Sequence, residues 1–217
     1  MSLIGKNKDF YSYRNECRIG ANFQYKDFEK TKSYNTNFSK SNFNYASLRA
    51  AQMKYCNFNE ASFVETEFIG TNIKGSCFKG AVFKNAIFKS VVMDKTDFTG
   101  AELVNCIFCN TRFTNVKGLN ISNSRIIDKC PELREYSQEL LNTIQSLRAN
   151  DIIRRSKTLH LKNNKINTLY LQELLGNFSQ YELVVLLKLL PCYVTTQFYT
   201  LSYLKKLLTK IKKETTI

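Results

Sequence analysis

Large apolar residues recur at every fifth position from Phe23 to Phe113, and no common secondary structure has that period. A helix repeats every 3.6 residues and a strand every 2, so neither places such residues on one face. Eighteen of the nineteen positions in this series are large and apolar, with Ser33 the exception. Thirteen of the sixteen phenylalanines fall in it: Phe23, Phe28, Phe38, Phe43, Phe58, Phe63, Phe68, Phe78, Phe83, Phe88, Phe98, Phe108 and Phe113. A fixed short period is the signature of a repeat architecture, so the period dictates the fold.

The flanking positions are restricted as well. Two before each centre stand small or modest residues such as Ala46, Ala61, Thr71, Ser76 and Cys106, with Lys26 the exception. Just before the centre come Asn22, Asp27, Asn37, Asn42, Asn57, Asn72 and Asp97; two after it come Gly70, Gly75, Gly80, Gly100, Asn85, Asn105, Asn110 and Asn115. Gly and Asn tolerate positive φ and mark turns. A large residue, a turn and a small residue repeated every five describe one side of a square coil, and four repeats close it in 20 residues. Such a coil stacks on itself at roughly 4.8 Å per turn, so the series predicts nearly five coils rising roughly 24 Å, with the large residues on the axis. Pro131 and Pro191 both lie outside it, as a hydrogen-bonded ladder requires. Lys26 and Ser33 predict an irregular first coil. The register breaks at Gly118, although Ile121 and Ile126 keep the spacing of five and are expected to form a capping strand.

Ala21-Asn22-Phe23, Ser41-Asn42-Phe43, Cys56-Asn57-Phe58 and Thr96-Asp97-Phe98 fit A-[D/N]-[L/F]-x-x, and residues 21–115 resemble the pentapeptide-repeat family. The resemblance implies a right-handed quadrilateral β-helix. Well-understood members of that family bind type II DNA topoisomerases and protect them from quinolones or peptide toxins, usually as dimers joined through C-terminal helices. The resemblance therefore implies a protein target of that class, gyrase or topoisomerase IV, a homodimer through the C-terminal helices, and a bacterial source. In that subgroup the coil is often acidic and resembles DNA. Here residues 1–121 hold 17 basic and 10 acidic residues, a net +7, which argues against whole-surface mimicry.

Beyond the repeats the composition shifts toward helix. The expected organisation is an N-terminal cap over 1–20, the β-helix with its capping segment over 21–127, and an α-helical domain of about four helices over 128–217. Leu133, Tyr136, Leu140, Ile144 and Leu147 follow at helical spacing, with Pro131 opening the helix. Gly176 ends a short helix over 169–175. Ser179-Gln180-Tyr181-Glu182 is a capping box ahead of an apolar helix that Pro191 stops. The last helix, from about Thr196, puts Leu201, Leu204, Leu208 and Ile211 on one side.

The total charge is +14, with the other +7 on residues 122–217, and it favours nucleic acid, anionic lipid or acidic protein partners without choosing among them. The longest apolar stretch, Leu183–Val194, contains Lys188 and is too short to span a bilayer. The first twenty residues are too charged for a secretory leader. Seven scattered cysteines fit free buried thiols in a reducing compartment, so the expected location is cytoplasmic.

Catalytic chemistry has little to stand on. His160 is the only histidine and reads as a surface or interhelical residue; no phosphate loop and no carboxylate pair in a recognisable motif appears. Cys106 and Cys109 have CxxC spacing, but the coil turns Cys106 inward and Cys109 outward, so a shared metal is not expected. No enzyme activity and no cofactor are expected. Candidate partner surfaces are the belt Lys74, Lys79, Lys84 and Lys89, one on each side of the coil, the stacked pair Tyr25 and Tyr45, and the basic last helix with Lys205, Lys206 and Lys210. Val64 and Ile69 are expected to be exposed apolar residues. Three functions fit: a non-enzymatic binder of a protein target such as a topoisomerase, a polyanion binder using the basic surfaces, and a scaffold whose helical domain alone binds the partner.

Overall fold

A computed structural model describes residues 11–215. The chain divides into two compact units, one up to Lys129 and one from Cys130. The first is a β-solenoid. Its sides are three-residue strands or single bridges: β1 Lys32–Tyr34, β2 Gln52–Lys54, β3 Glu67–Ile69, β4 Val82–Lys84, β5 Ile87–Lys89, β6 Glu102–Val104, β7 Ile107–Cys109 and β8 Arg125–Ile127. Pairing is parallel and steps by 20, as in Ser33 with Met53, Phe68 with Phe88 and Phe83 with Leu103, so four repeats make one turn. Centres donate their N–H to the next coil, as Phe38 does to the Asn57 carbonyl and Phe63 to that of Val82, at 2.7 and 2.8 Å.

The large residues fill the axis as ladders of rings. Phe38, Phe58, Phe78 and Phe98 stack at 4.8–5.1 Å within 12° of parallel. Phe23, Phe43, Phe63 and Phe83 form a second column, and Phe68, Phe88 and Phe108 a third. The fourth side carries Ser33, Met53, Ile73, Met93 and Phe113. The small position has a second use beyond fitting between rings. Hydroxyls of Thr66, Thr71 and Ser76 donate to the carbonyls of Phe43, Leu48 and Met53 in the coil before, at 2.7–2.8 Å. The residue before the centre braces the corner. Asn22, Asp27, Asn37, Asn42, Asn57, Asn72 and Asp97 each accept the N–H two residues on, at 2.9–3.1 Å.

Every fifth residue from Asn15 to Asn115 has positive φ, whatever its type, including Tyr25, Lys40, Glu60, Glu65 and Lys95. The corner geometry, and not the residue, sets the backbone there. The first coil is regular: Asn22 bridges Asn42 and Asp27 bridges Ser47. Tyr11 and Tyr13 pack against the core above it, their ring centroids 4.7 Å from Phe28 and 5.6 Å from Phe38. The expected cap over 1–20 lies in part outside the described residues; within them, Arg14 and Cys17 already bridge Tyr34 and Asn37 in the 20-residue register. At the far end β8 pairs with β7, but Phe108 meets Ile126, a step of 18. Ile126 is 56% exposed, so it does not enter the axis; Val116, Leu119 and Ile121 pack against the core instead.

The second unit holds five α-helices among the described residues: α1 Gln138–Ser146, α2 Asp151–Ser156, α3 Thr168–Leu175, α4 Gln180–Tyr193 and α5 Leu201–Thr215. The first begins later than its apolar spacing predicts. Ser137 caps α1 by accepting the Leu140 N–H, while Leu133 sits in a separate 3-10 turn and is 47% exposed. Tyr136, Leu140, Ile144 and Leu147 are buried. The Ser179–Glu182 capping box forms, and Gly176 caps α3. Pro191 does not stop α4, which runs on to Tyr193, because a proline in the last turn removes only one ladder bond. α5 starts at Leu201, not at Thr196, with Leu201, Leu204, Leu208 and Ile211 buried. α4 packs against both α1 and α5.

Candidate functional site

The solenoid turns successive repeats to successive sides, so outward residues are neighbours only at steps of about 20. On this lattice the lysine belt is matched by carboxylates of the next coil. Lys74 Nζ lies 3.2 Å from Asp94, Lys79 3.6 Å from Asp97 and Lys84 3.3 Å from Glu102. Lys117 reaches the same Asp97 at 3.8 Å. Lys89 is half-buried, in register between Ile69 and Cys109. The Asp94 carboxyl is held below the usual carboxylate range, first by the Asn115 amide and then by Lys74, and that of Asp97 first by the Thr99 hydroxyl. Such exposed pairs contribute little to stability, but they cancel charge where the sequence shows a row of lysines.

Tyr25 and Tyr45 stack with ring centroids 4.8 Å apart and planes at 8°. Lys205, Lys206 and Lys210 line the outward part of α5, where Lys210 pairs with Glu214 at 3.8 Å. Lys212 instead reaches back to Glu182 at 2.5 Å, tying α5 to the start of α4. Val64 and Ile69 are half-buried and not exposed. Cys109 corrects the expectation of an outward thiol: it is buried at 1%. Glu67, Ile87 and Ile107 in the same sheet are buried too, while Ile69 and Lys89 are half-buried and Arg125 is exposed. Alternation assigns the direction of a side chain correctly but not what covers it. Burial pushes the thiols of Cys56 and Cys106 up to about 11, consistent with packing and not with reactivity.

His160 is buried at 2%, not on the surface. Its Nε2 lies 2.7 Å from the Ile144 carbonyl, and burial lowers its pKa. The imidazole stays neutral and donates to that carbonyl, closing the end of α1. Among the described residues no group of three or more metal-ligating side chains exists, and no helix is long and apolar enough to cross a membrane.

One further feature went unnoticed in the sequence. On the side that begins with β1 and β2, a recess of about 720 Å³ is lined by Tyr13, Arg14, Lys30, Lys32, Tyr34 and Lys54, together with Ser33, Ala50 and Gln52. The signal is in the sequence once the lattice is known. Steps of 18 or 20 from Lys74, Lys79 or Lys84 reach a carboxylate, whereas from Arg14 they reach Lys32 and Tyr34, from Lys32 Ala50 and Gln52, and from Lys54 Asn72 and Lys74.

Comparison with known proteins bears on the repeats. The family model for pentapeptide repeats matches residues 46–85 and 76–115. Among solved structures, a pentapeptide repeat protein of the Arabidopsis thaliana thylakoid lumen is 16% identical, with a TM-score of 0.38, covering 72% of this chain and 92% of its own. Rfr23 of the cyanobacterium Cyanothece 51142 is 16% identical, at a TM-score of 0.36 and coverages of 53% and 90%. QnrB1, a plasmid-mediated fluoroquinolone resistance protein, is 15% identical, at 0.32 and coverages of 52% and 81%. Among curated proteins none matches the sequence. Eight copies of the repeat, read by the family model and laid out at 20 residues per turn, make residues 46–115 a segment of the pentapeptide-repeat family, and the coil that contains them a pentapeptide-repeat β-solenoid.

Proposed function

We propose that this protein is a non-enzymatic binder that presents the solenoid surface to a protein target, with a type II DNA topoisomerase as the target class that the repeat resemblance implies. The observation that supports this reading is where the chemically capable groups sit. The sole imidazole is tied to a backbone carbonyl, two thiols are packed into the coil with raised pKa, and the axis is filled by stacked rings. What such a unit offers a partner is a firm outer lattice of side chains at fixed spacing. The reading places the protein in a bacterial cytoplasm, where its target resides. Pairing of two chains through the C-terminal helices would use the lysine-bearing side of α5, since the apolar side is already buried.

The test is a supercoiling assay with bacterial gyrase, titrating this protein with and without a quinolone. Altered supercoiling, or rescue from the drug, is the expected result. Unchanged activity in both arms at protein excess rejects the topoisomerase assignment.

A further inference from the structure

The recess beside β1 and β2 gathers cations that differ from the paired lysines of the belt, Lys74, Lys79 and Lys84. Among the described residues no carboxylate lies within ion-pair distance of Arg14, Lys32 or Lys54; Lys30 alone of the lining cations has one, Glu29 at 3.7 Å. The run ends one coil further on, where Asp94 neutralises Lys74 at 3.2 Å. Arg14, Lys32 and Lys54 stand on three successive coils, so their positive charge steps along the solenoid at roughly 4.8 Å per coil. Three uncompensated cations converging on one concavity raise the local potential and favour an anion there.

The aromatic residues narrow the class of anion. Tyr34 lines the recess with 45% of its surface exposed, and Arg14 lies 5.8 Å from its ring centroid. Tyr55, 46% exposed, meets Tyr34 edge to face at 5.4 Å and holds it in place. Tyr13 is fixed by Arg18, 4.6 Å from its centroid. Gln52 adds an amide that can donate and accept. Cations beside exposed, oriented rings are what phosphates joined to flat bases require. An acidic peptide would satisfy the cations but leave the rings without a partner.

We propose that this recess binds a phosphate-bearing ligand with a base, either a nucleotide or a single-stranded nucleic acid, with Arg14, Lys32 and Lys54 taking the phosphates and Tyr34 stacking the base. The site is separate from the topoisomerase reading and stands if that reading fails.

The test uses the full chain, a fluorescein-labelled oligothymidylate followed by anisotropy, and ATP followed by titration calorimetry. Binding of at least one probe at about 50 mM salt is expected, with a steep loss toward about 200 mM. The double variant Lys32→Gln/Lys54→Gln should weaken it at least about tenfold and flatten the salt slope by about 1.4, the share of two phosphate contacts on a single strand. Lys79→Gln/Lys84→Gln, on the neutralised belt, should leave it within about twofold of wild type, because those lysines already hold carboxylates. Tyr34→Ala should cost about tenfold through lost stacking. ATP binding that competes with the oligonucleotide identifies a nucleotide site; oligonucleotide binding that ATP does not displace identifies a strand site. No binding of either probe at low salt overturns the proposal, as does equal weakening by the belt and recess variants. Full affinity in Tyr34→Ala overturns the stacking assignment. Lys32 and Lys54 make no side-chain hydrogen bond or ion pair among the described residues, so an unchanged melting midpoint of the recess variant is expected and serves as the folding control.

Discussion

Phe83→Ala removes a ring from the middle of the solenoid axis, and its cost follows from the neighbours. Phe83 is fully buried and stacks on Phe63 with centroids 4.8 Å apart and planes at 6°. Phe68, Phe78, Phe88 and Phe98 surround it at 5.5–6.1 Å. Losing the transfer energy of a buried Phe costs about 1.5–3 kcal/mol, and the parallel stack with Phe63 adds about 1 kcal/mol. The cavity term is at its largest here, because the wall cannot close. β4 is hydrogen-bonded to coils on both sides, through Phe63 N to the Val82 carbonyl and by its register with β6. The expected loss is therefore about 4–5 kcal/mol, at the top of the range for buried Phe. The assay is urea unfolding followed by circular dichroism, with the β and helical signals fitted separately because two units need not unfold together. The loss should appear in the β transition alone. In a double-mutant cycle, Phe63→Ala and Phe83→Ala should couple by about 1 kcal/mol. A loss below about 1 kcal/mol would refute the premise that a hydrogen-bonded coil holds its axis open.

Two further outcomes follow from the corners and from the helical unit. Lys95 is exposed and has φ 59°, so Lys95→Gly relieves a left-handed penalty of about 1–2 kcal/mol while loosening the unfolded chain; a net gain of about 0.5–1 kcal/mol in the urea midpoint is expected, and a loss would contradict it. Glu182 is held at about 2, chiefly by Lys212 and also by the Ser179 N–H and hydroxyl. Its folded value is depressed, so its contribution is present above about 4.5 and is lost as pH falls toward about 2. Glu182→Gln should flatten that acid limb in the helical melting curve, and an unchanged pH profile would show that the Lys212–Glu182 pair does not form in solution.

The axis was legible because a period of five admits so few folds, and because nearly all the phenylalanine obeys it. The last helix was legible for a similar reason, since Leu201, Leu204, Leu208 and Ile211 can share a side only in a helix. What escaped depends on neighbours remote in sequence. Leu133 fits the apolar spacing, yet Ser137 can cap the chain and Leu133 cannot, so the helix begins after it. The left-handed corners at Tyr25, Glu65 and Lys95 carry no glycine or asparagine to announce them, because the coils above and below impose the turn. The short last coil had no mark beyond the break at Gly118. A Cβ there would lie 2.6 Å from the Thr99 backbone, so only glycine lets the chain pass that close to the coil before. The candidate recess needs the pairing step itself, since whether a lysine is neutralised is decided 18 or 20 residues away.

The 20-residue step also governs how a chain like this can change length. Gaining or losing one whole turn leaves every later residue on its original side, with its ring column and its ion-pair partners intact. Gaining or losing a single repeat of five rotates everything downstream by a quarter turn. The axis tolerates that change, because the next centre is again large and apolar, but the outside does not: rows downstream turn to a new side relative to those upstream, and an ion pair that spans the change, such as Lys74 with Asp94, loses its 20-residue step. Fold and surface therefore answer to different arithmetic. Duplication of one repeat is nearly neutral for folding and turns the outer rows beyond it by a quarter turn in a single event, whereas duplication of four extends the pattern unchanged.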